Sequence, residues 1–189
     1  MATENLKSTQ ITNLDAGTTR NDVGAGGTGF LKFADGVGVT GADGVTSGST
    51  YQMVRIPSNC TVKRVLACIE STSGVTTFTA DIGLYYSTST IMDGTKQSNV
   101  AVVVSGTTGP TVVSGCQALF GSAVALAAIV TPTDYTNESG NITNAKRMQP
   151  IWQAAGLSSD PGGYFDVVLT LTATASGAAK PYVMVEYVY

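Results

Sequence analysis

From Thr50 onward the pattern changes to that of strands, and in several segments apolar and polar positions alternate with a period of two. Phe78, Ala80, Ile82, Leu84 and Tyr86 share one parity, and Thr77, Thr79, Asp81 and Gly83 share the other. That is the pattern of a strand with one packed face and one wet face. Phe165, Val167, Leu169 and Leu171 alternate in the same way with Asp166, Val168, Thr170 and Thr172. Residues 62–70 place Lys63, Val65, Ala67 and Ile69 on one face and Val62, Arg64, Leu66 and Cys68 on the other. Tyr51–Ile56 predicts a further strand, stopped at Pro57, and the unbroken apolar run Val100–Val104 predicts a buried one. Turn residues from Ser176-Gly177 to Lys180-Pro181 precede a last strand, Tyr182–Tyr189. Two long strands joined by a short loop predict a hairpin at the C-terminus. One helix signal stands out, over Met148–Gly156, where Gln149-Pro150 opens a short helix and Gly156 closes it. No repeat of 20–50 residues is visible, which excludes propellers and solenoids. Regular short strands separated by turns predict an all-β fold, a jelly-roll-like β-sandwich.

The first fifty residues follow a different rule. Leu6, Ile11 and Leu14 are spaced apolar residues in a polar segment. A glycine-rich stretch, 22–48, follows and is broken by Phe30-Leu31-Lys32-Phe33. Such a stretch buries little by itself. The chain therefore divides into residues 1–49, an extended N-terminal arm with glycine-rich loops, and residues 50–189, the sandwich body. An arm that orders against a partner and a disordered tail both fit this composition. The first fifteen residues lack the apolar core of a signal peptide.

Composition sharpens this picture. A length of 189 residues suits one domain. The 27 Thr and 21 Val are β-branched and favour strands. Charged residues are 12% of the chain, about half the usual share, so little of the surface is reserved for charge. There is no histidine. This excludes Ser–His–Asp and Cys–His catalysis and ordinary His-ligated zinc or iron. The net charge of −3 argues against a nucleic-acid partner. Val112–Val130 is 19 residues long and uncharged. It carries Gly115, Gly121 and Gln117 and has no aromatic or basic anchor at its ends, so Phe120, Val124 and Leu126 fit buried strands rather than a membrane span. Cys60, Cys68 and Cys116 are odd in number and form no CxxC pair. They predict buried free thiols, the alternative being a bridge from Cys60 or Cys68 to Cys116 in an oxidising compartment.

Few motifs survive inspection. Gly24-Ala25-Gly26-Gly27-Thr28-Gly29 fits the dinucleotide fingerprint in letters but lacks the strand before it and the helix after it. Asp81, Asp93, Asp134, Glu138, Asp160 and Asp166 are the acids a glycosidase would need in pairs, and they are scattered. Asp93, Asp134 and Glu138 suggest a cation site, but no calcium loop motif frames them. Trp152, beside Ile151 and near Tyr164, reads as a core anchor before it reads as a stacking platform for a sugar or peptide. The expectation is no catalytic residue, no metal site and no cofactor.

Longer stretches bear a resemblance. The opening Ala2-Thr3-Glu4-Asn5-Leu6-Lys7-Ser8-Thr9-Gln10-Ile11-Thr12-Asn13-Leu14-Asp15 resembles that of tailed-bacteriophage head structural proteins. Similar in type are Arg55-Ile56-Pro57-Ser58-Asn59, Ala80-Asp81-Ile82-Gly83-Leu84-Tyr85, residues 119–126, and Pro150-Ile151-Trp152-Gln153-Ala154-Ala155-Gly156-Leu157 continuing through Asp160-Pro161-Gly162-Gly163-Tyr164-Phe165-Asp166. The resemblance implies a capsid decoration (cement) or minor head protein: non-enzymatic, a dimer or trimer, and bound to the major capsid protein on the outside of the virion after synthesis in the bacterial host cytoplasm. On that reading Leu6, Ile11 and Leu14 anchor the arm on the capsid or on a sister subunit. The alternative is a tail or head-fibre component that displays a receptor-binding tip; a third class, a wall hydrolase, fits poorly with the missing histidine and scattered acids.

Overall fold

The computed structural model describes residues 5–8, 11–12, 31–40, 45–73, 78–87, 110–126, 132–175 and 177–189. Among the described residues nine strands occur in chain order: β1 Asn5–Lys7, β2 Leu31–Val37, β3 Thr50–Pro57, β4 Thr61–Ser73, β5 Phe78–Tyr86, β6 Gly121–Leu126, β7 Thr133–Asp134, β8 Tyr164–Leu171 and β9 Ala178–Val188. They form two sheets, β1-β3-β8-β5-β6 and β2-β9-β4-β7. Setting β1 aside, β2 to β9 are distributed in the jelly-roll order, with the first and last strands adjacent in one sheet and the second and second-last adjacent in the other. The all-β sandwich expected from the alternation is thus the observed fold. Val100–Val104 and Gly24–Gly29 lie outside the described residues.

The core lies between the sheets. Tyr51, Ile56, Phe78, Ile82, Leu84, Phe165, Val167 and Leu169 from the larger sheet meet Val65, Ala67, Ile69, Val183, Val185 and Tyr187 from the smaller. Strand β4 shows how the alternation is adjusted. Val62 and Val65 have opposite parity yet both are buried. The pairing of β4 with β9 slips between Val62 and Arg64, so Lys63 is the extra residue of a bulge that turns both valines inward.

Two expectations need correction. The C-terminal strands are not a hairpin. β8 lies between β3 and β5, whereas β9 lies between β2 and β4 in the opposite sheet. In a jelly roll the last turn carries the chain across the sandwich, and local turn chemistry cannot distinguish that crossing from a hairpin. β9 also starts at Ala178 and runs through Pro181, whose carbonyl accepts the Gly38 N–H at 2.9 Å. Second, the polar parities of β5 and β8 are not wet. Asp81, Gly83 and Tyr85 on β5, and Asp166, Val168 and Thr170 on β8, are all buried. Part of the cover is the 110–120 segment, which pairs with β5 through Val113 N–H to Leu84 O and Phe120 N–H to Ile82 O. It crosses Gly83 so closely that a Cβ there would lie 2.0 Å from the Gln117 carbonyl oxygen.

The helix signal matches a single turn, α1, Ile151–Ala154. Pro150 caps it, and Gly156 follows with φ +83°. Its free amides are satisfied by the β3–β4 turn: Ile151 N–H donates to Cys60 O and Trp152 N–H to Ser58 O. Trp152 packs against the core, as a core anchor should.

Candidate interaction surface

The carboxylates that could have suggested catalysis are committed to structure. Asp166 accepts two hydrogen bonds from Arg55, at 2.7 and 3.0 Å, across the β3–β8 ladder. The side chains are 0% and 4% exposed, so this is a buried bidentate pair. Asp81 accepts from Gln117 Nε2 and from the Ala123 N–H, both at 2.8 Å. Ala123 has φ +48° inside β6, where the pairing with β5 slips, and its N–H is the one the carboxylate binds. Glu138 accepts from the Ser122 N–H and Asp160 from the Gly162 N–H. Burial pushes the Asp134 carboxyl up, but the Thr136 hydroxyl and amide and the Arg64 guanidinium outweigh it and hold the carboxyl below its ordinary value. Asp93 lies outside the described residues.

Geometry separates the two buried acids. Asp81 pairs with Thr170 and Asp166 with Tyr85. The two rungs are four residues apart along the strand, roughly 13 Å at about 3.3 Å per residue. A glycosidase needs its carboxyls ~5–9.5 Å apart. Among the described residues no three of His, Cys, Asp and Glu gather in a way that could hold a metal ion. Among them, too, no helix is long and apolar enough to cross a membrane.

All three cysteines are free thiols. Burial pushes the Cys60 thiol up to about 12, and it raises Cys68 and Cys116 as well. Cys60 and Cys116 are buried, whereas Cys68 is half-buried on β4 opposite Tyr182.

The expected contact residues of the arm have different surroundings. Leu6, in β1, lies parallel to β3 opposite Tyr51 and is 40% exposed. Ile11 is 0% exposed, so its side chain is covered by its own protein. Nearby, the Ser8 hydroxyl donates to Met53 O at 2.6 Å and fixes the arm to β3. Leu14 lies outside the described residues.

A more exposed apolar surface occurs on β2. Leu31 is 62% exposed, Phe33 71% and Val39 59%, with Val37 beside them. Their register with β9 puts Leu31, Phe33, Asp35 and Val37 opposite Val188, Glu186, Met184 and Tyr182, on the outer face of the smaller sheet. Of the charges on that face, Glu186 lies on β9 directly opposite Phe33, and Arg64 and Asp134 lie farther out on β4 and β7. Arg64 lies 3.2 Å from Asp134 and 3.9 Å from Glu186. On that face β2 itself carries one charge, Asp35. The opposite parity of β2 is pressed against β3, where a Cβ on Gly36 would fall 2.0 Å from Met53 O. The sequence contained a signal for this strand: large apolar residues at 31, 33, 37 and 39, with glycines at 36 and 38. It was hidden by the glycine content of its surroundings. Near one end of β2, Lys32 Nζ stands 5.0 Å from the Tyr189 ring centre. Tyr189 and Tyr164, with Ser58, Asn59 and Asp160, line a polar groove of about 250 Å³.

No known protein family matches the sequence, and no curated protein is significantly similar to it. Solved structures do match. A chain from the capsid of Ralstonia phage GP4 is similar over 97% of each chain, with a TM-score of 0.54 and 14% sequence identity. A chain from the cyanophage Pam1 capsid asymmetric unit is similar over 92% of this chain and 94% of its own, with a TM-score of 0.47 and 16% identity. At such identities the GP4 likeness is one of fold, and it spans nearly the whole chain.

Proposed function

We propose that this protein is a non-enzymatic structural component of a tailed-phage virion. It binds the outer surface of the capsid, contacts the major capsid protein and bridges neighbouring subunits. The observation that carries this reading is the whole-chain likeness of fold to a chain of the Ralstonia phage GP4 capsid, 97% of each chain. The chemistry is in keeping with it. Asp81, Glu138 and Asp166 are spent on internal bonds, Cys60 and Cys116 are buried, and the exposed apolar side chains include those of β2 and the partly exposed Leu6 of the arm. Such a protein needs area rather than a reactive group. Many modest contacts repeated on one shell hold subunits together strongly, because each bound copy works at high effective concentration. Assembly as a dimer or trimer would double or triple the contacts of each bound unit.

The test is copy number. Intact particles are purified and this chain is quantified against the major capsid protein by mass spectrometry. A number comparable with the capsid protein is expected. A handful per particle would shift the reading to a tail, vertex or head-fibre part, and absence from the particle would overturn it.

A further inference from the structure

We infer that the open edge of β2 is a docking site for an extended strand from a different protein, apolar at alternate positions and carrying a basic residue opposite Asp35. β2 ends the sheet β2-β9-β4-β7. Its hydrogen bonds to β9 continue beyond Val37, with Gly38 N–H donating to Pro181 O and Thr40 N–H to Ala179 O, both at 2.9 Å. In an antiparallel ladder, the main-chain groups of successive residues point to opposite edges. The even-numbered residues from 32 to 40 therefore face β9, and Leu31, Phe33, Asp35, Val37 and Val39 aim their N–H and C=O groups off the sheet. No hydrogen bond to those outward groups occurs among the described residues.

These same residues carry the exposed apolar side chains. Open backbone groups and alternating apolar side chains on one edge are the two requirements of strand addition: the backbone supplies affinity and the side chains supply register. A long apolar edge left bare would also be an aggregation hazard, which proteins ordinarily blunt with charge, proline or cover. β2 has one outward charge, Asp35, which makes no ion pair among the described residues.

That charge selects the occupant. A second copy would pair most fully in an antiparallel arrangement centred on Asp35, with Leu31 of each copy opposite Val39 of the other. The two Asp35 side chains would then stand directly opposite each other on one face, with Cβ atoms about 4.5–5.5 Å apart. No cation of β2 could separate them, because Lys32 has the other parity. A foreign strand with Lys or Arg at that rung gains an attraction where self-pairing meets a repulsion. This inference rests on the virion reading only for the owner of the strand, which would be a shell protein.

The experiment uses the full chain, isotope-labelled, with two capped nine-residue peptides of alternating Thr and Val, one with a central Lys and one with a central Glu. The Lys peptide is expected to slow hydrogen exchange at the amides of Phe33, Asp35 and Val37, and to leave those of Lys32, Ala34 and Gly36 unchanged. The Glu peptide is expected to bind roughly fivefold more weakly, and Asp35→Lys to reverse the preference. Phe33→Pro deletes one outward N–H and none that serves β9. It should lose peptide protection while keeping the wild-type melting temperature within a few degrees. Three results would each overturn the proposal: protection of these amides in the dilute free protein, a concentration-dependent dimer that protects them without peptide, or no protection at millimolar Lys peptide. None of these results alters the particle copy number, so failure here and failure of the virion reading are separable.

Discussion

Arg55 and Asp166 show how a residue's role depends on what covers it. In the sequence Asp166 is one alternation partner on a wet face, but in the fold it is 0% exposed and gripped by a guanidinium at two points. Removing one member of such a pair strands a charge in a dry place, at a cost of about 3–5 kcal/mol. Arg55→Met is therefore expected to lower the urea midpoint severely. Arg55→Met combined with Asp166→Leu should recover much of the loss, because no charge is left unpaired. A double variant as unstable as the single one would show that the pair does not act as a unit. The thiols obey the same rule. Burial keeps Cys60 and Cys116 neutral and out of reach. In the native protein at pH 8, iodoacetamide should label Cys68 slowly and the other two only after denaturation, as read by peptide mass. Prompt labelling of Cys60 would contradict the burial described.

At the scale of elements, parity was legible and its exceptions were not. Strands β4, β5 and β8 lie where alternation placed them, because the side chains a strand turns to the core recur with a period of two whatever covers its other face. Bulges escape such a reading: Lys63 is an ordinary polar residue until β9 fails to pair with it. The covered outer face of β5 escapes it too. Gly83 has to be a glycine because the Gln117 carbonyl crosses it, and the two positions are 34 residues apart in sequence. Gly83→Ala should cost at least ~3 kcal/mol in thermal or urea unfolding, as overpacking against backbone that cannot yield. A loss under about 1 kcal/mol would mean that the crossing segment moves aside easily. The interaction surface was missed for a related reason. β2 lies in a glycine-rich stretch, and its glycines reflect close approach to β3 rather than lack of structure.

For the molecule as a whole, the described residues at the start of the arm, 5–8 and 11–12, are tied to the body. Ser8 is hydrogen-bonded to Met53, β1 pairs with β3, and Ile11 is buried. Deleting residues 1–16 is expected to lower the melting temperature, since burying an Ile side chain alone contributes about 2–4 kcal/mol. The truncated protein should still unfold cooperatively, because the main core cluster is drawn from residues 45–187. On the proposed capsid role it should also occupy fewer sites on the shell. Full occupancy by the truncated protein would remove the arm from that interface, while loss of cooperative unfolding would make the arm integral to the fold. The sequence by itself determined the class, an all-β sandwich without histidine chemistry, because period and composition are local properties that any folded form must respect. The tertiary structure alone decided that β8 and β9 part into opposite sheets, that Asp166 is buried with Arg55, and that β2 ends its sheet among the described residues. Each of these depends on which distant segments come together, and neither period nor composition carries that information.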